Sequence, residues 1–280
     1  MRAPFMFAAL ALTLAACSKT AVPTSGTLAY GLDASGQLVT FGLGNAASSA
    51  STKAISGLNS GDTLVDLDFN PNTSALYAFA SSGQVYTLDT VTGAATANTT
   101  PLVALAPLKT DFNPVANRVR VFGASASNFR LSVDPAPAAA PKGTVTPDGT
   151  LAYAPADANA GKTPNLMGAA YTNSYLNGGM SSALPTTTSL YSVDAATNTL
   201  DLHTVGPAFS TLTTVGALGI TLGSNVGFDI VTSGGNNGTN TAYLVNDSTL
   251  YTVNLTSGAA TQVAVLAAPL KALAVTISAQ

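Results

Sequence analysis

Three aspartates of this 280-residue chain recur in one local setting: Asp68 in Leu67-Asp68-Phe69-Asn70-Pro71, Asp111 in Thr110-Asp111-Phe112-Asn113-Pro114, and Asp229 in Phe228-Asp229-Ile230. Brought to one place, such carboxylates supply hard oxygens for Ca²⁺ or an acid/base set acting on a glycoside. The same spacing fits a local role, in which each acid hydrogen-bonds its own backbone in an Asx-turn. Arg118 and Arg120 lie two apart on one run and so share a face. From there they could clamp a carboxylate or pair with Asp111, and pairing is the simpler expectation. His203 stands in Leu202-His203-Thr204 as the sole histidine of a chain with one cysteine, so neither a His/Cys metal cage nor a Cys/His catalytic pair can form. The loop from Ser233 to Gly238 is glycine-rich but lacks the Lys of a phosphate cradle and the Ser/Thr that follows it there.

The elements that would hold these residues read as strands throughout. Short alternating runs of Val, Leu, Tyr, Phe and Thr are separated by Gly, Asn, Asp, Ser and Pro. One pattern recurs five times, centred on Leu38, Val85, Phe129, Leu190 and Leu250, as in Val85-Tyr86-Thr87-Leu88-Asp89 and Leu190-Tyr191-Ser192-Val193-Asp194. Successive copies lie 47, 44, 61 and 60 residues apart, close to the spacing of roughly 40–50 in propeller blades once loops are inserted. A second element precedes the pattern at residues 64–71, 108–114 and, more loosely, 226–230, as the innermost strand of a blade would. Residues 166–173 could fill that slot in the fourth unit. The first unit lacks it, and the orphan run 270–277 at the far end would supply it and close the ring, hiding an edge that otherwise invites aggregation. The expected fold is all-β: a single propeller over residues 27–280, with five blades, or six if the stretch from 140 to 225 holds another. Tyr77, Tyr86, Tyr191, Tyr243 and Tyr251 recur in the strands and are expected to pack between blades.

Composition agrees. The chain is 46% hydrophobic and only 8% charged, with 25 Gly and 15 Pro, and all 13 acidic residues are Asp. Without Glu, and with so many turn formers, long helical bundles are excluded. Ten scattered basic residues and a net charge of −3 leave no stripe for phosphates, so nucleic acid is not an expected partner. A monomer is expected.

The N-terminus reads as an export signal over residues 1–16: Arg2, then an apolar stretch too short to span a bilayer. It ends in Leu14-Ala15-Ala16-Cys17, which resembles the lipobox of bacterial lipoproteins, and that resemblance implies acylation of Cys17 and attachment to the membrane of the cell envelope. Ser18 resembles the residue that permits transfer to an outer membrane. Residues 17–26 then form the lipidated cysteine and a short tether.

Several phrases in order carry a wider resemblance: Asp111-Phe112-Asn113-Pro114, Asn117-Arg118-Val119-Arg120-Val121, Asp148-Gly149-Thr150-Leu151-Ala152-Tyr153, Gly168-Ala169-Ala170-Tyr171-Thr172-Asn173, Thr214-Val215-Gly216-Ala217-Leu218-Gly219 and Gly227-Phe228-Asp229-Ile230. They resemble a family of bacterial exported domains of unknown function, numbered 4394, over residues 27–266. The resemblance implies a single propeller-like domain and brings no activity. The Pro/Ala-rich insert at 134–141 departs from the family pattern and bears on one blade edge. The chain is therefore expected to be a lipid-anchored extracytoplasmic propeller that binds a protein or glycan through its channel mouth, with Asp68, Asp111, Asp229, Arg118 and Arg120 as the candidate mouth residues. A polysaccharide-acting hydrolase or lyase using the aspartates is the alternative. No cofactor is expected unless the acids hold calcium.

Overall fold

The computed structural model describes residues 22–106, 108–176, 185–206, 208–234 and 238–277. The export signal and Cys17 lie outside the described residues, as does part of the glycine-rich loop.

Five small sheets make up the chain. The first blade contains β1 (Leu28–Asp33), β2 (Leu38–Gly42) and β3 (Ser51–Lys53). The second contains β4 (Leu64–Phe69), β5 (Leu76–Ala80), β6 (Val85–Leu88) and β7 (Ala95–Thr99). The third contains β8 (Lys109–Asn113), β9 (Arg118–Phe122), β10 (Ser127–Leu131) and β11 (Val145–Thr150). The fourth has five strands: β12 (Ala152–Tyr153), β13 (Leu166–Tyr171), β14 (Leu190–Asp194), β15 (Thr199–His203) and β16 (Thr211–Ala217). The fifth contains β17 (Val226–Ser233), β18 (Thr239–Asn246), β19 (Thr249–Val253) and β20 (Ala260–Val265). The last strand, β21 (Leu270–Val275), pairs antiparallel with β1, from Ala29 opposite Val275 to Asp33 opposite Leu270.

The molecule is thus a five-bladed propeller closed by its C-terminal strand. The long stretch from 140 to 225 holds one blade enlarged by a fifth strand, because β12 adds parallel to β16 at its outer edge. The Pro/Ala-rich insert is the β10–β11 connection, and β11 still pairs with β10 beyond it. The innermost strands β21, β4, β8, β13 and β17 contact one another in a ring. Their sequences show why they sit there: apolar residues such as Leu67, Phe69, Phe112 and Ile230 are buried on one side, and buried aspartates alternate with them on the other. A ring of five is narrow, and glycine allows the closest approaches. A Cβ on Gly168 of β13 would lie 2.5 Å from the Phe228 Cβ, and one on Gly227 of β17 would lie 2.5 Å from the Ala272 carbonyl carbon.

Between each pair of neighbouring blades lies one apolar cluster. Leu67, Phe69 and Leu76 meet Tyr30, Ala272 and Ala274 between the first two. Phe79 and Val85 meet Phe112 and Val121 between the second and third. The fourth and fifth meet through Val193 and Phe228, and the fifth and first through Leu250 and Leu273. The interface between the third and fourth blades differs. Beside Phe122, Tyr171 and Leu212 it buries Arg120, Asn128 and His203. The expected packing of Tyr77, Tyr86, Tyr191, Tyr243 and Tyr251 into or against these clusters is what the structure contains.

Candidate functional site

Asp68, Asp111 and Asp229 come together inside the ring of innermost strands. One carboxylate oxygen of each lies within 4.8 Å of the others, and all three residues are buried. Strand register explains the convergence: Asp68 is opposite Tyr77, Asp111 opposite Arg120 and Asp229 opposite Tyr243, one rung from the same point in each blade. The equivalent rungs of the fourth and first blades carry Ala170, opposite Tyr191, and Ala274, opposite Tyr30, so the ring holds three acids in five positions.

The acids do not cap their own turns. Asp68 Oδ2 accepts the Phe112 N–H at 2.6 Å, Asp111 Oδ1 accepts the Tyr171 N–H at 2.9 Å, and Asp229 Oδ2 accepts the Val275 N–H at 2.6 Å. In each case the donor belongs to the innermost strand of the next blade. Asp229 adds a local bond, from the Ile230 N–H to Oδ1. The Asx-turns exist, but the asparagines make them: Asn70 Oδ1 accepts from the Asn72 N–H, and Asn113 Oδ1 from the Val115 and Ala116 N–H groups. The carboxylates therefore staple neighbouring blades across otherwise unpaired backbone donors.

A further pair that the sequence reading missed occupies the same axis. Asp66, also buried, accepts from the Thr110 N–H and hydroxyl. Lys109 reaches across the channel from the third blade, and its Nζ donates to the carbonyls of Val226 at 2.6 Å and Lys271 at 2.7 Å in the fifth and first. Burial holds the Lys109 ammonium below its ordinary range against the pull of Asp66. Burial, with repulsion from Asp229, raises Asp68 well above the usual carboxylate range, and burial with repulsion from Asp68 and Asp229 does the same for Asp111. Asp229 is pushed up to about 6 by burial, against its two backbone hydrogen bonds. Two charges at 4.8 Å repel by about 3 kcal/mol at an effective dielectric near 20. Full ionisation is therefore costly, and protons or a cation relieve it.

The arginines are elsewhere than expected. Arg120 pairs with Asp148, Nη1 to Oδ2 at 2.5 Å, and not with Asp111. Asp148 is also gripped by Arg130 through two bonds of 2.7 and 2.8 Å. Arg118 Nη2 donates to the carbonyls of Arg130 and Thr144 and to the Thr146 hydroxyl. Asp111 and Arg120 do share a face, but both use it to reach the fourth blade: Asp111 takes the Tyr171 N–H while Arg120 Nε donates to the Tyr171 hydroxyl at 3.1 Å. The Arg120 guanidinium thus braces the interface between the third and fourth blades, and that of Arg118 ties strands within the third.

His203 is a satisfied core histidine. Its Nδ1 bonds the Phe209 carbonyl at 2.8 Å and its Nε2 the Ser192 hydroxyl at 3.0 Å, its ring stacks on Phe122, and burial lowers it to about 4. Another buried group escaped the sequence reading. The Tyr153 hydroxyl lies 2.6 Å from Asp194 Oδ2 and 2.8 Å from Asp201 Oδ2. One hydroxyl proton serves one of these contacts, so the other needs a proton on a carboxyl, in keeping with Asp201 being raised to about 6 by burial.

Solvent meets the molecule at a different place. A cavity of about 420 Å³ opens at the end toward which the innermost strands run, between the third and fourth blades. Its lining comes from the β8–β9 turn (Asn113, Val115, Ala116), the β13–β14 connection (Thr172, Asn173, Thr186, Thr187, Thr188, Ser189) and the β15–β16 connection (Val205, Gly206, Phe209). None of these side chains titrates. Nothing in the sequence distinguished this set, since Ser, Thr and Asn clothe the whole surface. A more polar cavity of about 600 Å³, with Asp89 at its edge, lies between the first two blades.

Several solved structures are matched at low identity. The nidogen/laminin complex is matched at 11% identity over 90% of this chain and 98% of the other, with a TM-score of 0.46. An auxiliary nutrient binding protein from Bacteroides thetaiotaomicron is matched at 10% over 85% of this chain and 57% of the other, with a TM-score of 0.45. The hydrazine synthase of Kuenenia stuttgartiensis is matched at 14% over 73% of this chain, which spans about half, 51%, of the other, with a TM-score of 0.38. No protein of curated function matches in sequence. A family model does match residues 37–274, nearly the whole propeller, and the chain belongs to that family, described as Domain of unknown function (DUF4394).

Proposed function

We propose that the protein is a non-catalytic binding module, held to the cell envelope by acylated Cys17, whose ligand seat is the cavity between the third and fourth blades. One observation carries this reading: among the described residues, the solvent-facing cavity is lined by hydroxyls, amides and apolar groups without a titratable side chain. Such a lining can recognise an uncharged ligand, and its described residues include no base to activate a hydroxyl. The three aspartates, which a hydrolase or lyase would need at the substrate, are buried and tied to the next blade. They act first as staples. Their oxygens are of the type Ca²⁺ prefers, but three carboxylates fill at most half of a shell of roughly 6–8 ligands unless each binds through both oxygens. Calcium is the cation to test there, with carbonyls or water completing its shell.

Attachment rests on the lone cysteine in Leu14-Ala15-Ala16-Cys17. No helix among the described residues is long and apolar enough to cross a membrane. Two or three acyl chains, at roughly 0.8 kcal/mol per buried methylene, would hold the domain. Labelled palmitate should enter the wild type and not Cys17→Ser. Equal labelling of both removes the anchor from the proposal. The ligand seat is tested by Ala116→Trp, which fills the cavity from an exposed turn position. Ligands found by thermal shift on the wild type should lose binding in this variant and keep it in Thr90→Trp, which obstructs the other cavity. The reverse result would move the site.

A further inference from the structure

We propose that the end of the propeller bearing the ligand seat is its membrane-facing surface, with Val91, Val115 and Val205 resting in the headgroup layer of the bilayer. This rests on the acylation of Cys17. The way the chain enters the propeller decides which end lies near the lipid. Before the first residue of β1 the ladder with the β2 side continues: the Leu43 N–H donates to the Thr27 carbonyl and the Gly44 N–H to the Ser25 carbonyl, both at 2.9 Å. Asn45 then clasps the incoming chain, its Nδ2 on the Pro23 carbonyl and its Oδ1 on the Ser25 N–H, each at 2.9 Å. Because β1 runs antiparallel to β21, these residues lie beside the end of β21, where the Thr276 N–H meets the Leu28 carbonyl. The entry is therefore fixed at the end toward which the innermost strands run, the end of the cavity of about 420 Å³. From Cys17 to Pro23 the chain spans about 21 Å when fully extended. The eight residues of β17 alone run about 26 Å from one end of the ring toward the other. A propeller standing on its far end would hold Pro23 beyond the reach of that tether.

The apolar tips agree with that direction. Val91 in the β6–β7 turn, Val115 in the β8–β9 turn and Val205 in the β15–β16 connection are 76%, 38% and 71% exposed. They belong to the second, third and fourth blades, and strand direction places all three at the entry end. With the tether on the first blade, contacts are spread around most of the ring, so this end can rest flat on a surface. A valine at a turn tip reaches past the hydroxyls around it, and headgroups cover apolar area that otherwise faces water. The turns that carry Val115 and Val205 hold no charged residue. Val91 is flanked by Asp89 and by the Lys53 ammonium, which donates to the Val91 carbonyl, so that turn is neutral as a unit. Because Val115 and Val205 also line the cavity, the seat opens toward the headgroups. Leu102 and Val103, 74% and 60% exposed, form the rival patch. It lies on the outer wall where the Leu102 N–H meets the Gly143 carbonyl of the third blade, and a propeller lying on its side would use it instead.

The acylated full chain should be reconstituted on vesicles of phosphatidylethanolamine and phosphatidylglycerol, with and without a quencher on the headgroups. With Cys17 acylated, a single new thiol takes a fluorophore in Val91→Cys, in Val205→Cys or, as the control on the wall, in Val103→Cys. Quenching should be about threefold stronger in the first two than in the third. Adding Val115→Ser and Val205→Ser to Val91→Cys should lower its quenching with unchanged melting. Equal quenching of all three labels, or stronger quenching of Val103→Cys, overturns the orientation and leaves the anchor in place. Quenching that the serines do not change removes the valines from the contact. If the protein does not float with the vesicles at all, the anchor is wrong and the inference falls with it.

Discussion

The channel and the mouth cavity divide the chemistry of this propeller between them. The channel holds four buried aspartates and a buried lysine, and every one of these five residues bonds backbone of another blade. The described lining of the cavity holds no charge and is rich in Thr, Ser and Asn. Charge inside thus aligns strands whose ladders leave donors unpaired, and uncharged groups outside are free to meet a ligand. In a chain only 8% charged, ionisable residues that look like chemistry in sequence are spent on architecture.

The severest way to break the channel is to remove a side of it. Ending the chain at Ala268 deletes β21, whose Leu270, Ala272, Ala274 and Val275 are buried, together with the Val275 N–H that Asp229 holds and the Lys271 carbonyl that Lys109 holds. This truncated chain should show no cooperative melting by circular dichroism and should aggregate on size-exclusion chromatography, because β1 becomes an exposed edge. A monomer melting like the full chain would contradict the closure.

Single-site changes separate the staple from the charge. Asp111→Ala leaves the buried Tyr171 N–H without its acceptor and should lose about 1–3 kcal/mol in urea unfolding. Asp111→Asn keeps an acceptor and deletes a charge that its neighbours repel, so at pH 7.5 without divalent cations it should match or exceed the wild type. If Asn proves as damaging as Ala, ionised Asp111 is needed, and the balance shifts toward a bound cation.

The wild type should also respond to pH in an uncommon direction. Asp229 and Asp201 are raised from 3.8 to about 6, and Asp68 and Asp111 are raised as well. A raised acid binds more protons folded than unfolded. Its stabilisation is full below about pH 4 and is lost as pH rises through its folded pKa. His203, lowered from 6.5 to about 4, works the other way, losing its contribution as pH falls through that window. Burial raises Asp66 too, and five acids outweigh one histidine, so the melting temperature in EDTA should fall between pH 4.5 and 7.5. A rise would mean that the channel acids are not shared with protons. Calcium sharpens the test. A site there should restore stability at pH 7.5, by about 2.7 kcal/mol at a hundredfold excess over Kd, and do little at pH 4.5.

How much of this was legible in the chain follows from range. The blades, the innermost strands and the closing run were written in local repeats, since a strand and its turn are decided by neighbouring residues. The meeting of Asp68, Asp111 and Asp229 followed from the repeat itself. What they bond did not, because the acceptor on one blade and the N–H on the next are 44 to 60 residues apart in sequence. Local reasoning assigned the Asx-turn to the aspartates when Asn70 and Asn113 make it. The face shared by Arg118 and Arg120 suggests pairing with Asp111, and Arg120 does sit opposite it, but a guanidinium reaches past its rung, here to Asp148. Phe209 of the cavity lining carried no signal at all: it lies outside the repeat, in a connection where only tertiary contacts force its φ positive.

The smallest expected effect on stability comes from a separate buried group. Tyr153→Phe, at the other end of the fourth blade, removes the hydroxyl that bridges Asp194 and Asp201 and leaves the His203 bond to Phe209 untouched. Asp201 keeps its bond from the Thr199 hydroxyl, and Asp194 keeps those from the Asn165 and Ala196 N–H groups, so the loss should be about 1–2 kcal/mol. It should grow as pH rises past 6, when Asp201 ionises beside Asp194 without the tyrosine proton between them. Ligand binding at the cavity should not change, because no bonded group joins Tyr153 to the cavity lining among the described residues. Altered affinity in Tyr153→Phe at unchanged stability would show that the buried acids and the open mouth are coupled after all.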